Sequence, residues 1–262
     1  MPYLSGISAE GVAASHDGQW FAYTSFPEGA LWRSNAMGRD LLQLTFPPLR
    51  AFLPRWSPDG KQIAFIGTET GDHWTTYVIP AQGGVARQLV PGNEEIADAS
   101  WTPDGKSIIF GPWKGGASRG IKVLDLSTNQ VSPLPGATEM WSPRISPDGR
   151  YIAALSQQES KMMLFDTTTE KWEELASLYS GYPSWSNDGK FLYFQDWANG
   201  GASPSRVVRI RISNRRLETV LDMRSLGRLS IGTFVSWSGL ARDDSILLSR
   251  NISTQEIYAL KW

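Results

Sequence analysis

The sequence predicts a closed, all-β propeller of six four-stranded antiparallel blades, in which residues 1–262 form a single domain. Three observations predict this fold. One turn phrase recurs along the whole chain, near-continuous apolar runs follow it, and the composition includes 25 Gly, 16 Pro and 12 Trp among 262 residues. Many short strands joined by tight turns account for such a composition better than helices do.

The turn phrase occurs six times. Five copies keep Asp-Gly, in ASHDGQWFAY, WSPDGKQIAF, WTPDGKSIIF, ISPDGRYIAA and WSNDGKFLYF, and the sixth is the degenerate LARDDSILLS. Successive aspartates are 42, 45, 44, 40 and 55 residues apart, close to the length of one four-stranded blade. In Ser-Pro-Asp-Gly, proline presets φ, aspartate can accept bonds from nearby amides and glycine accepts positive φ. We therefore assign a structural role in turns to Asp17, Asp59, Asp104, Asp148, Asp188 and Asp243.

The strands after these turns are predicted to be buried on both faces. Residues 63–65 (IAF) and 108–110 (IIF) are continuously apolar rather than alternating, as expected for strands inside stacked blades. The sixth unit has no fourth strand of its own, whereas residues 2–7 precede the first turn without a partner. We therefore expect this N-terminal strand to close the last blade, which removes an exposed sheet edge.

Composition excludes several classes of function. The net charge of −1 argues against binding of nucleic acid through its phosphates, and no cysteine is present for disulfides, zinc or thiol catalysis. No apolar run approaches the ~20 residues that span a bilayer, so no membrane insertion is expected. The compartment stays open, with the periplasm favoured if the chain belongs to a longer exported or membrane-anchored protein. We interpret one local basic cluster as outward-facing positions of an exposed strand pair: Arg206, Arg209, Arg211, Arg215 and Arg216.

The phrases WSPDGK at residues 56–61 and ISPDGR at residues 145–150 resemble the repeat of TolB-type propellers, which are relatives of the WD-repeat fold. The resemblance covers essentially the whole chain. The chain is similar to the C-terminal propeller domains of bacterial regulators and kinases, in which such domains are taken to be sensing or protein-binding modules. Their winged-helix and kinase motifs do not occur in this sequence.

Few residues could carry catalysis. His16 occupies the proline position of a turn, His73 lies in a loop beside Asp72, and a Ser-His-Asp triad could draw on only these two histidines. A metal site would need several Asp, Asn, Glu or His side chains at the axis, and no such set recurs outside the turns. We therefore expect no enzyme activity, catalytic residue, metal or cofactor; a metal-dependent propeller hydrolase remains a third alternative.

Aromatic and arginine side chains concentrate in loops that, by analogy with WD-type blades, share one face. These residue types are enriched at binding hot spots. We therefore predict a non-enzymatic, monomeric binding or sensing propeller that engages a protein or peptide, or a small ligand, through this face. The alternative is a structural or assembly module of a larger bacterial regulator or kinase. The candidate binding residues are Phe52, Arg55, Trp74, Trp113, Trp141, Arg144, Tyr182 and Trp197.

Overall fold

The computed structural model describes residues 8–69, 73–90, 96–112, 120–156, 161–197, 204–226 and 237–249. Over these ranges the chain forms β-strands and one 3₁₀ turn, Met223–Ser225. Five four-stranded sheets and one two-stranded sheet are present in this part of the chain. The all-β prediction is thus confirmed, whereas the prediction of six four-stranded blades is wrong.

Each four-stranded sheet is one blade, in which consecutive strands pair antiparallel. The first blade contains β1 (Ala9–Ala14), β2 (Trp20–Ser25), β3 (Leu31–Asn35) and β4 (Leu42–Gln43). The second contains β5 (Arg50–Trp56), β6 (Gln62–Thr68), β7 (Thr75–Pro80) and β8 (Arg87–Gln88). The third contains β9 (Ile96–Trp101), β10 (Ser107–Pro112), β11 (Lys122–Asp125) and β12 (Val131–Pro133).

The last two blades have longer outer strands. The fourth contains β13 (Met140–Ile145), β14 (Tyr151–Ser156), β15 (Lys161–Asp166) and β16 (Lys171–Ser177). The fifth contains β17 (Ser180–Trp185), β18 (Phe191–Asp196), β19 (Arg206–Arg211) and β20 (Leu217–Asp222). Exposure rises from the middle of a blade to its edge: Leu164 of β15 is fully buried, whereas Leu217 of β20 is exposed.

The sixth copy of the turn phrase forms only a hairpin in the described residues. Here β21 (Ser238–Leu240) pairs with β22 (Ile246–Leu248), and Leu247 is the one buried residue of β22. The six-blade prediction counted one blade per turn phrase. The phrase, however, specifies only the turn between the first two strands, and further strands need apolar sequence of their own. The predicted closure by residues 2–7 lies outside the described residues.

The hairpin lies between the fifth and first blades. β21 contacts both β17 and β1, and Trp237 packs against Val12 of the first blade and Tyr182 of the fifth. On the turn side, the Arg242 guanidinium donates a hydrogen bond to the carbonyl oxygen of Asp17. Five blades and the hairpin therefore surround a common axis.

The turns are held by side-chain hydrogen bonds that the sequence pattern encodes locally. The Asp59 carboxylate accepts bonds from the Ser57 hydroxyl at 2.7 Å and from the Lys61 amide at 3.0 Å, and Gly60 has a φ of +69°. These bonds favour the charged carboxylate and lower the pKa of Asp59. The same two bonds recur in the turns of Asp17, Asp104, Asp148 and Asp188.

Tryptophans before the turns connect neighbouring blades. The indole N–H groups of Trp56, Trp101 and Trp185 donate to the carbonyl oxygens of Ala13, Arg55 and Arg144, respectively, at 2.9–3.2 Å. Each acceptor lies in the first strand of the preceding blade. An indole that packs between two blades and satisfies its single donor in this way fixes the spacing of adjacent blades as well as filling the space between them.

Candidate functional site

The first strand of each blade borders the central axis. β1, β5, β9, β13, β17 and β21 contact one another in that order, and β21 returns to β1. In each of the five blades, one residue of the first strand has positive φ, between +48° and +69°, next to a shift in strand pairing. Such a bulge redirects a side chain out of the alternation of the strand. The five bulge residues are Gly11, Leu53, Asp98, Ser142 and Tyr182.

Charged and polar side chains from four of these strands meet at the axis and form what we call the channel cluster: Arg55, Asp98, Ser142, Arg144 and Tyr182. The Nη2 atom of Arg144 lies 2.7 Å and 2.6 Å from the two carboxylate oxygens of Asp98, and the Ser142 hydroxyl donates to Asp98 at 2.6 Å. The Arg55 Nη2 atom lies 3.8 Å from Asp98, beyond hydrogen-bond distance.

Burial and neighbouring charges set the protonation of the cluster. Burial raises the pKa of Asp98, but the guanidinium groups of Arg144 and Arg55 more than offset this, so the pKa lies below its usual range. Burial, with the nearby charge of Arg144, lowers the pKa of Arg55 to about 10 against the attraction of Asp98. Burial also raises the pKa of Tyr182. At neutral pH the two arginines and one aspartate therefore carry a net charge of +1.

Aromatic side chains lie at the end of the channel where the first strands begin; we call Phe52, Trp74, Trp141 and Trp197 the rim aromatics. The rings of Phe52 and Trp74 make an edge contact with centroids 4.9 Å apart. A Cβ atom on Gly181 would lie 2.7 Å from the Trp197 indole nitrogen, so glycine permits this ring to lie directly on β17. Trp141 packs against the core between the fourth and fifth blades.

Three of the eight candidate residues predicted from the sequence, Arg55, Arg144 and Tyr182, belong to the channel cluster. Four others are the rim aromatics, and Trp113 lies outside the described residues. Sequence analysis missed Asp98 and Ser142. Both lie three residues before the Trp or Ile that precedes a turn, and Leu53 and Tyr182 occupy the same position in their blades. This shared position in the repeat could have revealed them.

The opposite end of the first strands carries the Asp-Gly turns. Hydrogen bonds from the Lys190 amide and the Ser186 hydroxyl lower the pKa of Asp188 to about 2. His16 is exposed in the first of these turns. Within the described ranges, no three His, Cys, Asp or Glu side chains lie close enough together to hold a metal ion. No helix in the same ranges is long and apolar enough to cross a membrane.

The stacked blades, the repeated turn and the axial channel define a β-propeller. A family model described as the TolB β-propeller domain matches residues 11–228. This match spans most of the sequence, and the chain belongs to the TolB β-propeller domain family.

Individual relatives differ in what their names say of them. The uncharacterised peptidase YuxL of Bacillus subtilis (strain 168) is 33% identical over 144 residues, which are 54% of this chain and 21% of that protein. The chain thus matches about a fifth of the length of this relative. A putative TolB from Agrobacterium tumefaciens has a similar structure, with a TM-score of 0.69, 19% identity and coverage of 95% of this chain and 92% of that one. A chain of a nidogen–laminin complex also has a similar structure, with a TM-score of 0.66 and 13% identity, and the match covers 85% of this chain and 84% of that one.

Proposed function

We propose that this chain is a non-enzymatic binding propeller that engages a protein or peptide at the channel mouth formed by the rim aromatics. One observation carries the proposal. Half-buried tryptophans of the second, fourth and fifth blades, Trp74, Trp141 and Trp197, lie at the end of the axis where the first strands begin, and tryptophan is among the residue types that dominate binding energy at interfaces. The opposite end is formed by short polar turns that satisfy their own hydrogen bonds.

The rim aromatics suit an extended partner better than a flat one. Trp74 and Trp197 follow the second strands of the second and fifth blades, and both side chains are half-buried, so part of each indole is packed and part is accessible. Rings that are already packed lose little conformational freedom on binding. A peptide chain that crosses the channel mouth could contact several blades at once.

The comparisons support this proposal only through the fold. One structural neighbour was solved in a nidogen–laminin complex, so a propeller of similar shape occurs in a protein assembly. The match to YuxL favours a second candidate, in which the chain is the propeller portion of a longer peptidase. Hydrolysis of a peptide by the purified chain itself would contradict the proposal that the chain is non-enzymatic.

Selection of peptides from a displayed random library on the purified chain tests the proposal. The Trp74→Ala/Trp197→Ala double variant should bind the selected peptides at least tenfold more weakly, the effect of losing about 1.4 kcal/mol of contact energy. Trp172→Ala is the matched control, because this half-buried tryptophan lies on the outer strand β16 and bonds to the Pro135 carbonyl oxygen. Equal affinities for the double variant and the wild type, with both folded by circular dichroism, would contradict the proposal.

A further inference from the structure

We propose that Arg55 is the receptor for a carboxylate group that enters the channel beside Gly11. The inference rests on the proposed function in that a peptide partner would supply this carboxylate. It follows from a comparison of two equivalent arginines: Arg144 hydrogen-bonds to a carboxylate, whereas Arg55 comes no closer than 3.8 Å to the same carboxylate.

Arg55 and Arg144 occupy the same position in the second and fourth blades. Each follows a proline, and each donates a hydrogen bond from Nη1 to the carbonyl oxygen of that proline, at 3.1 Å and 2.8 Å. The two side chains therefore leave their strands in the same way. Arg144 then reaches the bulge residue of the preceding blade, Asp98, and pairs with its carboxylate.

The bulge residue of the blade that precedes Arg55 is Gly11. Glycine has no side chain, so the preceding blade supplies no carboxylate to Arg55, whose carboxylate neighbour in the channel cluster is Asp98 at 3.8 Å, beyond hydrogen-bond distance. The position also has room for a side chain, because a Cβ atom added to Gly11 would make only ordinary van der Waals contacts, at 3.9 Å, with Leu53 and Pro54. A carboxylate that enters the channel can therefore take the place beside Arg55 that Asp98 takes beside Arg144.

The hydrogen-bonding capacity of Arg55 points to the same conclusion. In the part of the chain that the structure describes, its guanidinium makes one hydrogen bond, to the carbonyl oxygen of Pro54, although it has five donors. Its side chain is 24% exposed, against 7% for Arg144. A guanidinium with free donors in a partly desolvated channel is suited to a charge-assisted bond with a carboxylate.

Charge favours a monoanion over a phosphate. The groups that act on Arg55 are Arg144, Asp98 and Tyr182, and together with Arg55 they carry a net charge of +1 at neutral pH. The buried Glu10 carboxylate, next to Gly11 in the sequence, also acts on Tyr182. With Asp98 and Glu10 already present, a singly charged carboxylate is repelled less than a doubly charged phosphate. The carboxylate can be the C-terminus of a peptide or the side chain of Asp or Glu.

Four short peptides separate these sources. Acetyl-Ala-Ala with a free C-terminus is compared with its amide, and acetyl-Ala-Glu-amide with acetyl-Ala-Gln-amide. Each is titrated into the millimolar range against the ¹⁵N-labelled chain, and the guanidinium signals of Arg55 are followed by NMR, with assignment through Arg55→Lys. We expect a saturable shift with at least one carboxylate peptide and affinity about tenfold lower for its neutral match.

Variants at Gly11 give the sharpest control. Gly11→Asp should provide an internal partner for Arg55 and weaken carboxylate binding at least tenfold, whereas Gly11→Asn, which has the same shape and equally tolerates positive φ, should retain it. Arg55→Gln should also lose binding, and Arg216→Gln on the outer edge of the fifth blade should not.

Three results would overturn the inference: equal binding of charged and neutral peptides, undiminished binding by Arg55→Gln, or no shift of the Arg55 signals with any peptide. The proposed function fails separately. If Trp74→Ala/Trp197→Ala leaves peptide selection unchanged while Arg55 still prefers carboxylates, the channel binds a small carboxylate and the rim is not the docking surface.

Discussion

Replacement of Asp98 by asparagine should destabilise the fold more than any comparable change of a surface aspartate. The Asp98 carboxylate accepts three hydrogen bonds of 2.6–2.7 Å, from Arg144 and Ser142, in a site where its side chain is only 10% exposed. Asparagine keeps the size and tolerates the φ of +58° at this position, so the substitution isolates the loss of charge.

The loss of stability is estimated from the two arginines, Arg55 and Arg144, that would keep their charge without the Asp98 carboxylate. Removal of one member of a buried ion pair costs about 3–5 kcal/mol, and we take the lower end because the asparagine amide oxygen still accepts a bond. For a chain of 262 residues the entropy of unfolding is about 0.55 kcal/mol/K. About 3 kcal/mol then corresponds to a Tm about 5 °C lower.

Differential scanning calorimetry measures this shift. Asp222→Asn is the control, because its ion pair with Arg224 is exposed and should barely change the Tm. The double variant Asp98→Asn/Arg144→Met removes one uncompensated charge and should be less destabilised than the sum of its single variants. A Tm for Asp98→Asn within about 1 °C of the wild type would refute the argument that the channel cluster depends on this carboxylate.

Two further predictions concern acid stability and the turns. Because the folded state lowers the pKa of Asp98 below its ordinary 3.8, its contribution is complete above that pH and is lost as the pH falls through the lower folded value. Urea unfolding should therefore show the wild type losing stability as the pH falls below about 5, and Asp98→Asn losing less. Equal losses of stability in the two proteins would contradict a lowered pKa of Asp98. Gly120→Ala should lower the Tm more than Gly60→Ala. Both have positive φ, but the added Cβ lies 2.6 Å from the Ala137 carbonyl oxygen in the first and in open space in the second. Equal Tm losses would show that backbone conformation alone sets the cost.

The turns were predictable because the hydrogen bonds that shape them are local. In the five Asp-Gly copies, Ser or Thr, Asp and Gly act within five residues, so the phrase encodes its own hydrogen bonds wherever it occurs. The same locality explains the wrong blade count. A turn phrase at residues 240–249 specifies a hairpin, and nothing in that phrase determines whether two more strands will pair with it.

The channel cluster was predictable only in part. Arg55, Arg144 and Tyr182 were selected because arginine and tyrosine are frequent in binding sites, without knowledge of what they contact. Asp98, which organises the cluster, stands alone in IADASW, and its partner Arg144 is 46 residues away. Only the stacking of one blade on the next brings these positions together.

By itself, the sequence determined the β-propeller class, the position of each turn and the spacing of the blades, because a repeated local pattern contains that information. The tertiary structure decided that five blades have four strands, that their bulges face one axis, and that Arg144 is paired whereas Arg55 lies opposite a glycine. The physical reason is the range of the interactions. A turn is stabilised by neighbours along the chain, but the ionic contacts of the channel join residues one blade apart and exist only after the blades have stacked around the axis.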